Sequence, residues 1–172
     1  MDTFVEQIVK KKKTVMDWLI IVAIILAAFL LSSVIFLYVR FLVPMIVLVV
    51  WGAWWLCTNR NIEFEYSITN GEMDIDMIIA QRRRKRLCSI KCAKVEAYGP
   101  VETADLGNRK FDHTVMAAPS VDGEGNYYFV YRSKKYGSTL VLFQPEERVQ
   151  NAFFAALPRL MQIELEKKLR EL

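Results

Sequence analysis

Histidine occurs once in this chain and cysteine three times, as Cys57, Cys88 and Cys92. So few thiols, in odd number, cannot staple a disulfide framework, and they agree with a reduced, cytoplasmic setting. Cys88 and Cys92 lack the two further ligands that a zinc site needs, and His113 has no spaced companion. We read the pair as packed cysteines and expect neither metal nor cofactor. The phosphate-binding patterns G-x-x-x-x-G-K-[ST] and G-x-G-x-x-G are absent, as is the nucleophile pattern G-x-S-x-G. Asp112 precedes His113, but neighbours on a strand face opposite ways, so a catalytic pair does not form there. An enzyme is therefore not expected. The formal net charge is only +4, and nothing in it demands nucleic acid.

Charge is scarcest between Trp18 and Cys57, where Arg40 stands alone. A bilayer core takes about 20 apolar residues as a helix, so this stretch fits two crossings better than one. The turn belongs near Arg40 and Pro44, because arginine is costly at the bilayer centre and proline lacks an N–H. The spacing predicts spans over Asp17 to Tyr38 and Phe41 to Cys57. Trp18 and Tyr38 would mark the interfaces of the first, and Trp51, Trp54 and Trp55 the far end of the second. Between Trp18 and Cys57 there is no Asp, Glu, His or Lys, which argues against an ion pathway within one copy. Small residues such as Gly52, Ala53, Ala27 and Ala28 favour close packing, within the hairpin or in a homo-oligomer.

Lys10, Lys11, Lys12 and Lys13 precede the first span, and Arg60 and the tract Arg82 to Arg86 follow the second. Positive charge stays inside, so both termini are expected in the cytoplasm of a multi-pass cell-membrane protein. A signal peptide has a similar outline, but its apolar region is much shorter than this one. The organisation expected is a basic N-terminus over 1–16, a two-helix transmembrane hairpin over 17–57 and a cytoplasmic domain over 58–172.

That domain opens on strands. Ile62, Phe64, Tyr66 and Ile68 alternate with polar residues, and so do Met73, Ile75 and Met77. Asn70-Gly71 between the two runs is suited to a type I′ turn. A third strand is expected over Arg84 to Ile90 after a turn in Ala80 to Arg83, and Ala93 to Tyr98 reads as a short strand or a helical turn. Gly99 to Gly125 reads mostly as loop around a strand at Phe111 to Met116. Further strands are expected over Asn126 to Ser133 and Ser138 to Gln144. Pro145 then suits a first helical position, and Val149, Ala152, Phe153, Ala156 and Leu157 form an apolar helix face. Pro158 should kink or divide this helix.

This is an α+β plan, an antiparallel sheet or barrel closed at one end by a C-terminal helix. Tyr66-Ser67-Ile68-Thr69-Asn70-Gly71-Glu72-Met73-Asp74-Ile75, the basic return Arg82 to Ser89, and Thr139 to Gln144 running into Pro145-Glu146-Glu147 resemble the bacterial PH-like domains found behind paired membrane spans. The chain is similar to a family of uncharacterised bacterial two-span membrane proteins with such a domain. The resemblance implies a fold and a location, and no catalytic residues.

Arg82, Arg83, Arg84, Lys85 and Arg86 are the densest charge cluster and the candidate binding residues, for a protein partner or anionic lipid headgroups. Their other reading is a solvated turn that obeys the positive-inside rule. Glu72, Asp74 and Asp76 read as a solvated strand face. The expected function is a membrane-anchored interaction module that presents a cytoplasmic surface. The alternative is an accessory or regulatory subunit of a larger membrane assembly, held through its two spans.

Overall fold

The computed structural model describes residues 4–38, 40–103, 106, 109–120, 123 and 125–170. It contains two compact units. One comprises Met1–Lys11, Glu63–Ile78 and Arg84–Leu172; the other comprises Lys12–Ile62 and Ile79–Arg83.

The first unit holds eight strands among the described residues, in two four-stranded sheets with orders β1-β2-β3-β4 and β5-β7-β8-β6. In the first sheet, β2 (Ile62–Thr69) and β3 (Glu72–Ile79) form the expected hairpin. Asn70 and Gly71 both take positive φ, 48° and 80°, as a type I′ turn requires. Phe64, Tyr66, Ile68, Met73 and Ile75 are buried, so period two correctly identifies the core face. A second turn at Ala80 and Gln81, again with positive φ, leads into β4 (Arg83–Lys91). The stretch after β4 is both things at once, a 3-10 turn at Cys92–Lys94 and then β5 (Val95–Pro100).

β1 (Phe4–Lys10) was not legible in the sequence. It runs antiparallel to β2, from Phe4 opposite Thr69 to Lys10 opposite Glu63. Residues expected to form a basic N-terminal arm thus supply an edge strand, with Gln7 buried. The Gln7 side-chain amide donates to the Gln144 carbonyl at 3.2 Å, and its carbonyl accepts from the Glu146 N–H at 2.8 Å.

In the second sheet, β7 (Tyr127–Ser133) and β8 (Gly137–Phe143) pair antiparallel, but β6 (His113–Met116) runs parallel to β8. The sheet is thus mixed and not wholly antiparallel as expected: a long connection precedes β6 and another follows it, leaving its direction unconstrained by a tight turn. Both sheets stay open among the described residues, with no ladder that closes them into a barrel.

The turn between β7 and β8 depends on Gly137, which sits at φ 71°. Asp112 accepts the Ser138 N–H at 2.8 Å, and its carboxylate occupies the space a Cβ on residue 137 would need. Gly137→Ala should lower stability by about 2 kcal/mol, since left-handed backbone alone costs about 1–2 kcal/mol. Urea-dependent proteolysis of the full chain would show this as a fall in midpoint at unchanged slope.

Two helices end the chain, α3 (Glu147–Ala156) and α4 (Arg159–Arg170), divided before Pro158 as its ring demands. α3 starts two residues after Pro145, with Glu146 as an extended N-cap, so proline does not take the first helical position. Val149 and Phe153 bury its apolar face. Phe153 meets Phe129 at 5.4 Å, Phe143 at 5.8 Å and Tyr98 at 5.1 Å between ring centroids, which makes an aromatic cluster the centre of the core.

The second unit is a helix pair. α1 (Val15–Tyr38) has 24 residues, and its most apolar window has mean hydropathy 3.1 and is only 6% buried by the protein itself. By length and composition it can cross a membrane. α2 (Met45–Thr58) has 14 residues and begins after a 3-10 turn at Arg40–Leu42 and the turn at Val43 and Pro44. It runs about 21 Å, short of a hydrocarbon core of about 30 Å.

Candidate functional site

The base of the helix pair is built from polar residues. Thr14 and Asp17 form a capping box: the Asp17 carboxylate accepts from the Thr14 N–H at 3.0 Å and hydroxyl at 2.9 Å, while the Asp17 N–H donates to Thr14 Oγ1. Asp17 is buried and also pairs with Arg60, just beyond the end of α2. This joins the start of α1 to the end of α2. Cations sit over aromatic rings at the same end of the pair, Lys13 over Trp18 at 5.3 Å and Arg82 over Trp54 at 5.4 Å.

The tract Arg82 to Arg86 is not one patch. Arg82 belongs to the helix-pair unit, where its guanidinium donates to Thr58 Oγ1 at 3.1 Å. Arg84 pairs with buried Glu65 at 2.6 Å. Arg86 pairs with Asp74 at 3.0 Å and with buried Asp76 at 2.9 Å. Its charge is held above the ordinary guanidinium range, first by the hydrogen bond to Asp76 and then by Asp74. Alternation along β4 therefore spends every second cation on an acid of β2 or β3. Arg83 and Lys85 are exposed and carry the tract's remaining unpaired charge among the described residues.

Two further readings change with this geometry. Glu72, Asp74 and Asp76 do not form a merely solvated face, because each has a basic partner, Lys91 for Glu72 at 3.3 Å. Lys10 reaches Glu63 at 4.0 Å, and Lys12 and Lys13 remain exposed. The facing acids were visible in the sequence: Glu63 and Glu65 on β2, and Asp74 and Asp76 on β3, recur at two-residue steps on the strands that precede the basic return.

Cys88 and Cys92 are free and buried, and among the described residues no group of His, Cys, Asp and Glu can hold a metal ion. Burial pushes the Cys88 thiol up to about 12 and the Cys92 thiol up to about 11. It also raises the Tyr66 and Tyr98 phenols. These groups stay protonated in the folded state at pH values where the unfolded chain ionises. Their contribution to stability is complete below the unfolded thiol value of 9.0 and fades as pH rises toward 11–12. Accordingly, maleimide at pH 8 should leave Cys88 and Cys92 unmodified until urea unfolds the domain, as mass spectrometry would read.

His113 stacks on Tyr136 at 4.6 Å, while Asp112 is committed to the Ser138 N–H. Among the described residues no hydrogen bond or ion pair joins the Asp112 and His113 side chains. His113 instead lines a cavity of about 480 Å³ beside Lys91, Lys94, Arg132 and Lys134, a basic concentration that no contiguous motif announced.

No curated protein and no solved structure matches the chain. The sequence profile described as bacterial PH-like domain (DUF6106) matches residues 1–163. The match takes in both sheets, α3 and the long apolar helix α1, and the chain belongs to the family of bacterial PH-like domains.

Proposed function

We propose that the protein is a membrane-anchored interaction module without catalytic activity, whose PH-like domain offers a cytoplasmic surface to a protein partner. The anchoring is supported by α1, a 24-residue apolar helix left almost wholly uncovered by the protein, and its topology by the pairing of β1 with β2. These strands flank the apolar segment in sequence yet lie side by side in one sheet. A single crossing between them would leave them on opposite faces of the bilayer, and removal of the segment as a signal sequence would take β1 with it. An even number of crossings satisfies both, with α1 and α2 as an out-and-back hairpin inserted between neighbouring strands. The short α2 is accommodated by local thinning and by its flanking tryptophans. Lys10 to Lys13 and Arg60 at the hairpin base favour the cytoplasmic side for both termini.

A protein partner is favoured over lipid recognition by the basic turn, since three of its five cations are already engaged. Photo-crosslinkers at Lys135 and at the lipid-facing position Val47, compared in native membranes, test this. Protein adducts from Lys135 with only lipid adducts from Val47 are expected. Protein adducts from Val47 alone would instead identify a subunit held through its spans. Impermeant maleimide should label Tyr38→Cys from outside and Lys135→Cys only after the membrane is opened.

A further inference from the structure

Among the described residues β4 is the last strand of its sheet, hydrogen-bonded to β3 alone. The cavity beside it is lined by consecutive β4 residues, Ser89, Ile90 and Lys91. Leu87, Ser89 and Lys91 share the outward face of β4 and Ile90 points to the other, so the cavity opens over that outward face and reaches round the strand edge. Its volume, about 480 Å³, falls within the range of about 300–1,000 Å³ typical of ligand sites. The charge lining it is one-sided. Lys94, Arg132 and Lys134 are exposed and have no acidic partner among the described residues, while Glu72, the acid of the lining, is matched by Lys91. Apolar contacts come from Leu87, Ile90 and Val115.

We propose that this groove binds an extended acidic segment of a partner protein, which adds to the β4 edge as a further strand. Main-chain pairing would supply affinity, the apolar floor would take alternate side chains, and Lys94, Arg132 and Lys134 would select Asp or Glu at the others. The inference rests on the interaction-module reading and specifies its surface. It differs from the basic tract in that no acid among the described residues neutralises these cations.

The test uses the full chain in neutral detergent micelles and a fluorescent acetyl-(Glu-Val)₃ amide as probe. Anisotropy should show binding that weakens as salt rises, that drops at least tenfold in Arg132→Glu/Lys134→Glu, and that is lost with a backbone N-methylated twin. Amide exchange over residues 87–91 should slow on binding. Both substituted side chains are exposed, and an unchanged urea midpoint would confirm that the variant folds. Equal binding of the N-methylated peptide, or of inorganic phosphate with no slowing at β4, would overturn strand addition. Failure of every probe would leave the lysines as guards of a free edge and overturn the proposal as well. A Lys135 crosslink to protein that survives Arg132→Glu/Lys134→Glu would sink the groove but keep the anchored module.

Discussion

Deleting Met1–Lys11 should abolish the folded domain, although it removes no residue of the hydrophobic cluster. β1 pairs with β2 over seven residues, and at about 0.5–1.5 kcal/mol net per hydrogen bond its ladder is worth on the order of 5 kcal/mol. That is comparable with the whole stability of a typical domain, about 5–15 kcal/mol. The deletion also removes Gln7, which ties β1 to the residues that launch α3 through Gln144 and Glu146. With β1 gone, β2 becomes an exposed edge. Pulse proteolysis of membranes should find Glu63–Leu172 degraded without urea, whereas replacing exposed Lys12 with Ser in the intact chain should change nothing.

The second large effect is expected at Phe153. Its ring is fully buried among Phe129, Phe143 and Tyr98, at the point where α3 covers the second sheet. Phe153→Ala would leave a cavity walled by rigid rings that cannot collapse inward, so a loss of about 3–5 kcal/mol is expected. Phe154, one position on, is only half-buried, and Phe154→Ala should cost about 1 kcal/mol. The contrast between neighbours, read as urea midpoints of the full chain, checks the helix face directly. Equal losses at the two positions would mean that α3 is rotated, with Phe154 as deeply packed as Phe153.

Local signals were the legible ones. Asn70-Gly71 specified its own turn, the alternation from Ile62 to Ile79 gave a hairpin with the correct buried face, and the three- and four-residue steps from Val149 to Phe153 gave α3. What escaped was set at a distance. β1 has apolar residues on both sides, with Phe4 62% and Ile8 53% exposed, so period two is blurred. Its partner also lies about fifty residues away across an apolar insertion. The parallel direction of β6 is fixed by β8, not by its own four residues. The pairing within the basic tract escaped for a related reason. A charge run looks like a patch in one dimension, but strand alternation sends Arg84 and Arg86 to acids on β2 and β3.

The strands that flank the apolar segment should lie together on one side of a bilayer. Glu6 and Ser67 are opposed residues of β1 and β2, and opposed positions of an antiparallel pair bring Cβ atoms near disulfide distance. Glu6→Cys/Ser67→Cys, oxidised mildly in carbonate-washed native membranes, should form an intramolecular disulfide in most of the membrane-retained chains. Absence of that crosslink, with the two cysteines labelled from opposite sides of the membrane, would contradict the hairpin insertion and the function built on it.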